Sequence, residues 1–133
     1  MHTIDYRHHP IIVVHTIEPM MKADVEAITV AAQALIDQGQ HFALVMVSDG
    51  GDSKERERGA NGLLMQWAKA NKAAMEAYCA GMASVVPSSA LLAVYQPMMK
   101  VIGARMYGFP LATFTSEAEA RAWAGQPMAA LTA

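Results

Sequence analysis

The stretch "SDGGDSKERERG", residues 48 to 59, concentrates charged and hydroxyl side chains between an apolar run, "HFALVMV", and a long helical pattern. A loop that leaves a strand and opens a helix is a common place for binding chemistry. The helix start presents N–H groups without partners and about half a positive charge. A Walker loop would need G-x-x-x-x-G-K-[ST], so that backbone N–H groups surround phosphate while Lys and a hydroxyl reach it. The stretch lacks that spacing and the Lys-Ser or Lys-Thr pair. Gly50, Gly51, Gly59 and Gly62 also fail to form G-x-G-x-x-G. What remains is a helix start with Lys54, Arg56 and Arg58 beside it, which with Asp49 makes a candidate contact for a small anion or a protein partner. The competing reading is a solvated turn, because Asp49, Asp52, Glu55 and Glu57 balance the bases. Asp52 and Ser53 each have the side chain of a helix N-cap.

The other reactive residue types are more scattered. His2 and His15 fall where they could face each other across a hairpin. His8 and His9 are adjacent, and neighbours on a strand point to opposite faces. No H-x-x-x-H or C-x-x-C spacing is present, so no metal ligand set is predicted. Cys79 is the single cysteine. It enters an apolar strand between Tyr78 and Ala80, which suits a buried structural thiol better than a nucleophile. Ser88 and Ser89 follow a strand and open a helix without G-x-S-x-G around them, as caps do. No catalytic set is legible, and no cofactor is implied.

The elements that must position these residues are read from periodicity. Ile4 and Tyr6, spaced by two, and the β-branched run "PIIVVHTI" (10 to 17) predict two strands joined by a short turn. Over residues 19 to 38, Met21, Val25, Ile28, Ala32, Leu35 and Ile36 share one helical face, with Lys22, Asp24, Glu26, Thr29, Gln33 and Asp37 opposite. Gly39 suits the cap after that helix. "HFALVMVS" (41 to 48) has too few polar positions to be half exposed and predicts a strand covered on both faces. A helix from about Ser53 to Tyr78 carries Leu63, Leu64, Trp67, Ala70, Ala74 and Tyr78. "GMASVV" (81 to 86) is the next covered strand.

"PSSALLAVYQPMM" opens another helix. Lys100 to Gly108 is read either as its end or as a second short helix after a kink at Pro97. "PLATF" (110 to 114) is a short strand, and "TSEAEARAWAG" (115 to 125) a terminal helix with Gly125 after its end. The prediction is one α/β domain over residues 1–133. Its core is a mixed, mostly parallel five-stranded sheet with an N-terminal hairpin and about four helices.

Composition narrows the function classes. The chain has 133 residues, 53% apolar, with a net charge of −2. That balance gives no basic field for nucleic acid. No Asp, Glu, Lys or Arg falls between Glu76 and Lys100, but Pro87, Ser88, Ser89, Gln96 and Pro97 interrupt that stretch, so no membrane insertion is expected. A single cysteine and an N-terminus without a signal-peptide core suggest a cytoplasmic protein. Eleven methionines, with Met20, Met21, Met98, Met99 and Met106 near element ends, fit a core, an apolar groove or a homodimer face. Trp67 and Trp123 fit core or groove positions.

The element order, the initial hairpin and the Asp52-Ser53 pair before the second helix resemble the STAS domain, named for sulfate transporters and anti-sigma-factor antagonists, and its SpoIIAA-like relatives. The likeness is greatest to uncharacterised bacterial STAS-like proteins. It rests on Arg56 or Arg58 at the opening of helix two, "CAGMASVVPSS" from Cys79, and "FTSEAEARAW" from Phe114 to Trp123. It spans nearly the whole chain, through motifs that are mainly structural. The resemblance implies a non-catalytic regulatory module that binds a protein partner. It also implies that Ser53 is the phosphorylated switch of the antagonists, although Lys54 and Glu55 stand where those have small residues. A small apolar ligand or lipid-binding protein is the alternative.

Overall fold

The computed structural model describes residues 1–50, 53–106 and 108–132, with side chains for all of these except 53, 100, 102–106 and 131–132. Five strands form one sheet in the order β1-β2-β3-β4-β5. The strands are β1 (His2–Asp5), β2 (Ile11–Thr16), β3 (Phe42–Ser48), β4 (Cys79–Val85) and β5 (Leu111–Phe114). The first pair is the predicted antiparallel hairpin, and every later pair is parallel. The helices are α1 (Lys22–Asp37), α2 (Ala60–Ala70), α3 (Lys72–Tyr78), α4 (Ser89–Met106) and α5 (Glu117–Thr132).

Two apolar layers explain why the strands lack polar alternation. Val13, Ala43, Val45, Val47, Ala83 and Val85 pack against Ala120, Ala124 and Met128 of α5. Ile12, Val14, Phe42 and Cys79 face the other way, against Leu35 and Ile36 of α1 and Met75 of α3. Both faces of the sheet are therefore covered, as a parallel sheet requires. Phe42, Ile12, Val13 and Val45 are the largest fully buried side chains. Each stabilises the fold by about 1.5–3 kcal/mol relative to exposure.

Helix two is not continuous. A 3₁₀ turn at Ser53–Glu55 precedes α2, and the helix breaks again before α3. Gly59 stands at φ +90°, a left-handed conformation that glycine adopts without penalty, and it caps α2. At the second break Asn71 has φ −110°, and its amide side chain donates to the Trp67 carbonyl at 2.9 Å. α4 runs unbroken past Pro97 to Met106.

α5 passes through Gly125, which had been expected to follow its end, and encloses Pro127. Continuing the helix buries Met128 against the sheet, and that burial offsets the hydrogen bond lost at the proline. Gly81 on β4 permits the close approach, because a Cβ there would stand 3.1 Å from Trp123 and 3.4 Å from Pro127.

Asp24, read as a member of the exposed face of α1, is buried. Its carboxylate accepts the Met21 N–H at 2.9 Å, lies 2.6 Å from His2 Nδ1 and meets the Met1 ammonium at 3.1 Å. His2 and His15 do not face each other; their cross-strand partners are Thr16 and Thr3. Among the described residues, no helix is long and apolar enough to cross a membrane.

Candidate functional site

Parallel α/β sheets place ligands and contacts at the carboxyl ends of their strands, where the loops diverge. Here that edge collects the end of β2, the loop after β3 and the start of α5. Alternation on β2 puts His15 on the same face as Val13, toward α5, one position before the strand ends. Its Nδ1 stands 2.8 Å from Asp49 Oδ2, and its Nε2 stands 2.9 Å from Glu117 Oε1. Only the imidazolium, with a proton on each nitrogen, is complementary to both carboxylates at once. An open depression of about 440 Å³ adjoins the ring, lined among others by Thr3, Asp5, Arg7, Ile17 and Asp49. Arg7 is turned back onto Asp5 at 2.8 Å and holds that carboxyl well below the usual range.

The segment after β3 is tied down on both sides. The Asp49 N–H donates to the Thr16 carbonyl at 2.8 Å, and the Glu18 N–H donates to the Gly50 carbonyl at 3.0 Å. Further on, the Glu57 N–H reaches the Met20 carbonyl at 3.0 Å, while the Glu57 carboxylate accepts the Lys22 N–H at 2.6 Å. Arg56 forks onto the shielded carboxylate of Glu18 through Nε and Nη2, and its Nη1 donates to Asn61 Oδ1 at 2.6 Å. Arg56 hydrogen-bonding draws the Glu18 pKa down, and Glu18 in turn raises that of Arg56.

Asp49 and Arg56 are held by bonds within the chain. Lys54 and Arg58 are exposed. Asp52 and the Ser53 side chain lie outside the described residues. On α2, which follows these residues in the chain, Leu64 and Met65 are 44% and 52% exposed. A protein contact has an apolar, dry centre and a polar, wet edge.

The Glu18–Arg56 pair, the Asp24 cluster and the place of Glu117 were missed by sequence reasoning. Glu18 and Arg56 are far apart in the chain, and no periodicity links them. A short carboxylate followed three residues after Met21 was a weak signal for Asp24, since an acid at that position can reach back to the cap N–H.

Cys79 is buried, donates to the Gly81 carbonyl at 3.5 Å, and burial pushes its pKa up to about 12. It is a packing thiol, since only a thiolate attacks or binds metal. Among the described residues no three His, Cys, Asp or Glu side chains converge as a metal site. The two carboxylates around His15 stand on opposite edges of its ring, so they cannot share an ion with it. No protein-family model matches this chain, and no curated protein or solved structure matches it.

Proposed function

We propose that this chain is a regulatory module of the STAS-like type that acts by binding another protein. Its contact surface is the charged segment 54–58 together with the first turns of α2. The observation that carries the reading is the exposed apolar pair Leu64 and Met65 on α2, the helix that directly follows in the chain the exposed Lys54, Glu55 and Arg58 of a segment anchored through Arg56 and Glu57. Anchoring lowers the entropy lost when a surface is ordered on binding, and so favours affinity. The order of elements and the initial hairpin support the STAS-like assignment. In this reading Ser53 is the switch. A phosphate there would add charge beside Lys54 and Arg58, where it could strengthen or break the contact.

The test is affinity capture from the native host with the whole chain and with the double variant Leu64→Glu/Met65→Glu. A protein retained by the wild type and lost by the folded double variant supports the reading. Equal retention by both moves the contact elsewhere and removes this surface from consideration.

A second reading, a carrier of a small apolar molecule, draws on Leu44, Met46 and Met82. These face the helical layer from the central strands and are only partly buried. Native mass spectrometry of the purified chain would show an added apolar mass under that reading, and the bare chain mass otherwise.

A further inference from the structure

α4 lies against the edge strand β5. From Ser89 to Met99 none of its side chains is buried; Leu92 and Met99 are half-buried and the rest are exposed. The exposed side carries Leu91, Val94, Tyr95, Met98 and Val101, at 38%, 64%, 40%, 43% and 60% exposure. Four of these, Leu91, Val94, Met98 and Val101, are spaced three, four and three residues apart. That is the seam spacing at which helices pack side by side.

We propose that this seam is the face through which two copies of the chain pair, with α4 of one copy antiparallel to α4 of the other. Two features argue for a second copy as the occupant. The spacing reads the same from either end, so a two-fold axis between the helices sets Leu91 opposite the partner's Val101 and Val94 opposite the partner's Met98. An isologous interface requires that self-complementarity. Charge makes the second argument. The chain carries a net charge of −2, yet no Asp, Glu, Lys or Arg falls between Glu76 and Lys100. Lys100 is the one charged position within the seam, and the two-fold axis sets it opposite the partner's position 92 and not the partner's position 100, so like-charged copies can meet along the seam without apposing like charges. The seam is separate from the α2 surface, so pairing and partner capture can fail independently.

Sedimentation of the whole chain tests the proposal. The expected wild-type mass is twice 14.3 kDa, with concentration-dependent dissociation. Val94→Glu, at a largely exposed position, is expected to give the single-chain mass with an unchanged circular dichroism spectrum. Val30→Glu on α1, at a position equally exposed, keeps the double mass. Should Val94→Glu lose its fold, the double variant Val94→Cys/Met98→Cys decides, because antiparallel seams cross-link it into a covalent dimer on oxidation. A wild type of single mass, a dimer that survives Val94→Glu, or no covalent dimer from the double variant overturns the proposal. So does a monomer that instead binds zwitterionic lipid vesicles through α4.

Discussion

His15 Nε2, near the end of β2, lies 2.9 Å from Glu117 Oε1 in the first turn of α5. The contact joins the second strand to the last helix, and through Nδ1 the same ring reaches the loop after β3. One side chain thus fastens three segments at the carboxyl edge of the sheet. All three side chains are about a third exposed, so solvent screens their attraction. His15→Ala is expected to lower global stability by no more than about 1 kcal/mol, while exchange of the Asp49 and Glu18 amides rises. Urea denaturation and amide exchange measure the two effects. A global loss without local change at those amides would contradict the fastening role.

Asp24 has the opposite character, a local group with a global effect. Its hydrogen bonds from His2 and the Met21 N–H hold its pKa at about 2, below the ordinary 3.8. A carboxylate depressed in the folded state contributes stability that is complete above its unfolded value and is lost as pH falls through the folded one. The expected loss runs from about 3.8 down to about 2. Asp24→Asn should cost about 1.5–3 kcal/mol near neutral pH, the range for hydrogen bonds to a charged group. It should also flatten the stability curve across that acid window. Thermal melts over the window check both.

How much of this was legible in the sequence depends on the range of the physics involved. Both apolar layers follow from runs such as "IIVV" and "FALVMV", whose lack of polar alternation already implies two covered faces. Gly39 was readable as a cap, and it stands at φ +68°. The end of α5 was not readable, because Gly125 and Pro127 are local stop signals overruled by the burial of Met128 and Ala124 against a sheet distant in sequence. Asp24 was placed on the wet face of α1 by periodicity alone. Its true setting depends on β1 folding across the start of that helix, which no helical pattern records.

The candidate surface depends on the Glu18–Arg56 pair, since it anchors the segment that carries Lys54 and Arg58. Glu18 is the more shielded partner, with 11% of its side chain exposed. Arg56→Ala leaves that carboxylate without its main partner, at an expected cost of about 1–2 kcal/mol. Glu18→Gln/Arg56→Met, which removes both charges, should recover part of it. A double-mutant cycle from denaturation midpoints gives the coupling.

Cys79 offers a direct check on the second core layer. With its pKa pushed up to about 12 by burial, the native thiol should resist a thiol-specific reagent at neutral pH and react promptly in denaturant. Fast labelling of the native protein would mean that the layer formed by Phe42, Met75 and Phe109 opens readily.

The most direct measurement of the central claim is site-specific photo-crosslinking in the native host. A photoreactive side chain in place of Met65, on the proposed contact surface, is compared with one in place of Val30 on α1. The account predicts a discrete protein adduct from position 65 that is absent from position 30 and disappears when Leu64→Glu is added. Adducts of equal yield from both positions, or none from position 65 while a partner still co-purifies, would contradict it.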